Sequence, residues 1–177
     1  PALSIEGLKA SSEGTPLFFI PELTIEKDDK IAVISRDGLA VSTFFKIISG
    51  EATADSGTCT WGTTITTASF PKDNTEYFKS DDNLVDWLRQ YSKEKDESHI
   101  RGFLGRMLFS GDEALKKCNV LSGGEKVRCM LSRMMLQNAN VLIFDEPTNH
   151  LDLESITALN NGMNDFKGTL LFTSHDH

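Results

Sequence analysis

The chain has 177 residues, 39% of them hydrophobic and 25% charged, with a formal net charge of −8 and a pI near 5.0. That length allows one domain, or one with a small inserted subdomain, and the composition is that of an ordinary globular protein. The acidic balance excludes a chain that holds nucleic acid through an overall basic charge, and no apolar run approaches the roughly 18 residues of a membrane span. The opening "PALSIEGLKA" lacks the apolar core of a signal peptide and does not begin with Met, so a fragment of a longer chain is expected. Cys59, Cys118 and Cys129 are odd in number and show no C-x2-C metal spacing; three reduced thiols in a cytoplasmic protein are expected.

In chain order, "LSIEGLK" (3–9) and "ELTIEKDDKIAVIS" (22–35) read as strands punctuated by turns. "VSTFFKIISG" (41–50) predicts a short helix ended by Gly50. "GTCTWGTTITTASF" (57–70), Thr-rich and alternating, reads as a strand or hairpin. From about 74 to 120 the texture becomes helical. Leu84, Trp87, Leu88 and Tyr91 recur at helical spacing, and Ile100, Phe103, Leu104, Met107 and Leu108 repeat the pattern. "EKVRCMLSRMMLQ" (125–137) predicts an amphipathic helix with Val127, Met130, Leu131, Met134 and Met135 along one face. "NVLIFDEP" (140–147) is a continuous apolar run ending in acids, the pattern of a strand buried in a parallel sheet. "LESITALNNGMNDF" (153–166) reads as a helix and "TLLFTSH" (169–175) as a last buried strand, and this alternation predicts an α/β fold. Trp61, Trp87, Phe18, Phe19, Phe44 and Phe45 are expected in the core, and "KEKDES" (93–98) on a solvated surface. Arg101, Arg106, Lys116 and Lys117 are the insert's candidates for contact with a partner or RNA.

Three groups carry chemistry. Asp145 and Glu146 stand where a buried strand meets solvent, so that one carboxylate can hold Mg2+ and its neighbour can orient a water. Ser122, Gly123 and Gly124 precede a helix with Glu125 in its first turn. Their N–H groups and hydroxyl form an anion site, although a plain helix cap has the same sequence. His175 closes the last strand, where an imidazole can reach a terminal phosphate; a metal pair with His177 is the alternative.

In order, "LSGGE" (121–125), "VLIFDE" (141–146), "NHLD" (149–152) and "SH" (174–175) resemble the signature motif, Walker B strand, D-loop and switch histidine of the ATP-binding cassette (ABC) family. The string "DEPTNHLDLESI" and the helical insert are similar to the ABC-F branch of soluble tandem ATPases. The resemblance covers nearly the whole chain, with its specific motifs between 100 and 177. It implies an ABC-type P-loop core, mostly parallel and flanked by helices, with an N-terminal antiparallel part and a helical subdomain at roughly 74–120. The whole of 1–177 would be one cassette, the second of two in its parent by this likeness, ending after the switch histidine.

"SRDGLAVST" (35–43) holds the place of the family's phosphate loop, G-x-x-G-x-G-K-[ST]-[ST], with Ser35, Gly38, Ala40 and Val41 at the three Gly positions and the Lys, and with Ser42 and Thr43 retained. No aromatic stands near residue 12, and Lys72 takes the place of the family's glutamine. The resemblance implies ATP and Mg2+ as cofactors, Ser42 and Asp145 on the metal, and Glu146 and His175 as catalytic residues. It also implies a weakened phosphate site of the chain's own, and Ser122 to Glu125 completing the site of a second cassette. The expected parent is a cytoplasmic ATPase acting on the ribosome as a translation or antibiotic-protection factor. The alternatives are a catalytically inactive nucleotide-binding or dimerisation module and the ATPase subunit of a membrane transporter.

Overall fold

The computed structural model describes residues 1–71, 73–145 and 153–173. These divide into two compact units, one built from 1–69, 140–145 and 167–173, the other from 70–139 and 153–166.

The first unit holds two sheets. Strands β1 (Leu3–Ser12), β2 (Thr15–Ile25) and β4 (Ser56–Trp61) form an antiparallel sheet in the order β2-β1-β4. β2 carries Pro16 and Pro21, which a central strand rejects because proline donates no ladder hydrogen bond; it lies at the sheet edge. Where β1 faces β4 the register shifts between Glu6 and Lys9, and Gly57 sits there with φ +89 and a Cβ position only 2.2 Å from the Gly7 carbonyl oxygen. Only glycine fits that approach.

The second sheet is parallel: β3 (Lys30–Val33), β7 (Thr169–Thr173), β6 (Val141–Phe144) and β5 (Thr67–Ser69), in that order. Of the expected strand or hairpin at 57–70, the extended chain is present and the hairpin is not. β4 and β5 pair into different sheets, β4 antiparallel to β1 and β5 parallel to β6. β6 is buried along its whole length, as its unbroken apolar run requires. Helix α1 (Gly38–Ile48) starts three residues before the expected boundary. Its Val41, Phe44, Phe45, Ile47 and Ile48 form one cluster with Leu3, Ile5 and Leu8 of β1, Val141 and Ile143 of β6, and Leu171 of β7.

The second unit is helical: α2 (Leu84–Arg89), α3 (Glu97–Arg106), α4 (Gly123–Leu136) and α5 (Leu153–Asp165), with short 3-10 turns between. Trp87 is wholly buried, stacked on Phe78 at 4.9 Å and edge-on to Tyr91 at 5.4 Å, and its indole N–H donates to the Tyr77 carbonyl. α4 is buried on a wider face than its apolar stripe, since Arg128 and Ser132 also lie inside. Two expectations fail. Leu108 lies beyond the end of α3 and is exposed, and Phe19 projects from the edge strand with 61% of its surface exposed.

Candidate nucleotide site

Parallel strands put their carboxyl ends on one edge of a sheet, and both halves of the first unit's site emerge there. β3 runs into Ile34–Asp37 and then α1; β6 runs into Asp145. The Ser42 hydroxyl, on the first turn and a half of α1, donates to the Asp145 carboxylate at 3.5 Å. Two oxygen ligands in adjacent corners of an Mg2+ octahedron stand about 3 Å apart, so this pair fits a hard cation held directly by one oxygen or through water by the other. Those two residues, 103 positions apart, are the predicted metal pair, and the fold brings them together.

The phosphate-facing part is different. Asp37 caps α1, its carboxylate accepting the Leu39 N–H at 3.0 Å, and the Asp37 N–H donates to the Ser35 hydroxyl at 3.1 Å. A phosphate approaching this helix N-terminus would compete with a carboxylate already there and meet its negative charge. Ala40 and Val41, in the third glycine and lysine places, are both buried, and Val41 joins the core cluster. Beside them lies an apolar cleft of about 380 Å³, walled by Leu17, Phe18, Ile31, Val33, Val41 and Phe44. Phe44 meets Phe18 edge-on at 5.9 Å and anchors the helix. Gly38 and Thr43 both belong to α1, Gly38 exposed and Thr43 half-buried. Arg36, exposed in the loop, is the one cation between Val33 and Phe45 in the sequence. Its place in the loop pattern is variable, so the motif assigns it no role; a positive charge in a loop without lysine is the signal that marks it.

In the second unit, Ser122 caps α4. Its hydroxyl accepts the Glu125 N–H at 3.2 Å while the Glu125 carboxylate accepts the Ser122 N–H at 3.0 Å, a complete capping box. Of the four N–H groups that no intrahelical carbonyl can serve, the capping box satisfies those of Ser122 and Glu125 and leaves those of Gly123 and Gly124. Gly123 is exposed, and a Cβ there would meet nothing within 4 Å. Gly124 is buried, so this geometry presents the exposed Gly123 and the positive end of a helix to an outside anion. Lys116, from outside the motif, donates to the other Glu125 oxygen at 2.8 Å. Burial pushes the Glu125 carboxyl up, but the hydrogen bonds from Lys116 and Ser122 outweigh it and hold it below the usual carboxylate range. The same hydrogen bond raises Lys116.

Lys72, Glu146 and His175 lie outside the described residues, as do the D-loop segment 149–152 and His177. Among the described residues, no helix is long and apolar enough to cross a membrane.

A family model described as "ABC transporter" matches residues 20–149. The chain is 64% identical over 177 residues to "Uncharacterized ABC transporter ATP-binding protein YkpA" of Bacillus subtilis (strain 168), covering 99% of this chain and 33% of that protein. It is 42% identical over 176 residues to "Probable ATP-binding protein YbiT" of Escherichia coli O157:H7, again 99% of this chain and 33% of the relative. The chain thus spans about a third of the length of these relatives. Among solved structures, an ATP-binding subunit of an ABC transporter superposes with a TM-score of 0.78 at 21% identity, covering 98% of this chain and 79% of that one. The cbiO1 protein of Clostridium perfringens, described as part of the complex cbiONQ, gives 0.76 at 20% identity, covering 99% and 78%. At those identities the likeness establishes the fold alone.

Proposed function

The chain belongs to the ABC transporter family of ATP-binding cassettes, and from that premise we propose that it is one cassette of an ABC-F-type ATPase whose surest contribution is its signature turn, offered to the ATP site of a second cassette. The carrying observation is the contrast between the two helix N-termini. At α4 the capping box holds Ser122 and leaves the Gly123 and Gly124 N–H groups without an intrahelical acceptor, with Gly123 exposed and Gly124 buried. At α1 the chain's own Asp37 occupies the cap, and Val41 stands in the core where a lysine would face phosphate.

On this reading each residue has a physical task. Ser122, Gly123 and Gly124 bind phosphate oxygens of a nucleotide held mainly by the partner cassette. Ser42 and Asp145 hold Mg2+ in this chain's own site, and the ion there neutralises phosphate charge. Glu146 orients water and His175 contacts the terminal phosphate. Without the lysine, a charge-assisted bond worth roughly 1.5–3 kcal/mol is lost, so binding at this loop is weakened. Arg36 is the one cation within the loop segment 35–43 that could offset it. The ABC-F assignment and action on the ribosome rest on the "DEPTNHLDLESI" string and the helical insert.

The test uses the full-length parent. Gly123→Asp puts a carboxylate in the outward anion site, where there is room for its Cβ. It should lower ATP hydrolysis at least about tenfold, whereas Ser42→Ala should lower it by less than about threefold. The reverse ranking would show that this chain's own loop is the working site. Glu146→Gln in the parent should favour the closed state and co-sediment with ribosomes in the presence of ATP; absence of ribosome binding in every nucleotide state would remove that part of the reading.

A further inference from the structure

We propose that Lys116, which lies outside every family motif, is a positioning residue for the signature turn: by holding the second oxygen of Glu125 it keeps that carboxylate off the anion site formed by Gly123 and Gly124. The proposal rests on the reading that the signature turn binds phosphate.

Glu125 has two oxygens and two partners. One oxygen accepts the Ser122 N–H and closes the capping box; the other accepts from the Lys116 ammonium group. With both in place the carboxylate cannot rotate. With Lys116 gone, one oxygen loses its partner within a turn of the Gly123 and Gly124 N–H groups, which no intrahelical carbonyl serves, and a carboxylate is itself an anion suited to a helix N-terminus. It would then compete with phosphate. Lys116 also cancels the Glu125 charge, so an incoming phosphate meets a neutral cap instead of a negative one. The Glu125 side chain is mostly buried, at 16% exposure, so this interaction is screened less than one at an open surface.

Lys116 is itself held in place. Its carbonyl accepts the Leu84 N–H at 3.0 Å at the start of α2, Lys117 bridges antiparallel to Asn83, and the Cys118 N–H donates to the Asp82 carbonyl at 2.8 Å. The ammonium group therefore reaches Glu125 from a backbone tied to another element of the same unit. The insert's basic residues were candidates for an outside partner; this one has its charge committed within the fold.

The experiment compares Lys116→Met, Lys116→Arg and Gly123→Asp in the full-length protein, reading KM and kcat for ATP and the melting temperature. Lys116→Met should raise KM about 3- to 10-fold while kcat changes less than about twofold and melting shifts by no more than about 2 °C. Lys116→Arg should restore KM. In a Glu125→Gln background, Lys116→Met should have no further effect, because its target is already neutral. An unchanged KM in Lys116→Met, while Gly123→Asp abolishes hydrolysis, overturns the role of Lys116 and leaves the signature reading standing. Unimpaired hydrolysis in Gly123→Asp overturns the signature reading itself. A KM rise that Lys116→Arg does not relieve, accompanied by a large fall in melting temperature, marks Lys116 as merely structural and also overturns the proposal.

Discussion

Val41 shows how one residue decides the character of a loop. Its side chain is in the core cluster with Phe44 and Phe45, beside a cleft whose lining is apolar except for Ser35. Val41→Lys would therefore act in two directions. Without nucleotide the longer, charged side chain should lower stability by about 1–3 kcal/mol, read as a fall in melting temperature. With MgATP the restored cation should raise affinity roughly ten- to a hundredfold, read by calorimetric titration. Unchanged affinity would show that the Asp37 cap and the Ala40 Cβ close the loop regardless of the lysine. Arg128 is the complementary case. It is 4% exposed, donates to the Met107 carbonyl at 3.0 Å, and lies over the Phe109 ring at 4.6 Å. No local pattern distinguishes that arginine from a solvated one; its partners come from the turn that follows α3.

Among the elements, α3 ends in a way its apolar spacing conceals. Leu108 continues the i, i+4 series, yet it has φ +71. Its N–H donates to the Gly105 carbonyl at 3.1 Å and the next N–H, of Phe109, donates to Leu104 at 2.9 Å. Those two bonds make a Schellman termination, in which the left-handed position is usually glycine. The left-handed backbone costs a leucine about 1–2 kcal/mol, and this one is exposed. Leu108→Gly should thus stabilise the protein by about 1 kcal/mol, raising the melting temperature by roughly 2–4 °C. A lower melting temperature would mean that the leucine's remaining contacts outweigh its backbone cost. β4 and β5 teach a similar lesson. The alternation of residues 57–70 reports extended chain correctly, but the partner of an extended segment is chosen by tertiary packing, and these two strands chose different sheets.

Across the molecule, each compact unit has its own core. In the first, α1 packs with strands of both sheets; in the second, Trp87 is the largest fully buried side chain. Trp87→Ala should cost about 3–5 kcal/mol, combining lost burial with a cavity and the lost bond to Tyr77. Hydrogen exchange should then quicken in α2–α4 before it does in β1, β6 and β7. Equal acceleration in both units would show that they unfold as one cooperative body.

The sequence alone determined the α/β class, the burial of β6, the helical texture after residue 74 and the family, because each follows from local periodicity or from short motifs whose chemistry demands fixed spacing. The family resemblance also puts Ser42 and Asp145 on one metal ion, and the fold holds their oxygens 3.5 Å apart. Only the tertiary structure decided that Val41 belongs to the core, that Asp37 caps its own phosphate loop, that Arg128 is buried and that Lys116 holds Glu125. The physical reason is common to all four: each depends on which groups a folded chain brings within a few ångströms, across separations that no local pattern encodes.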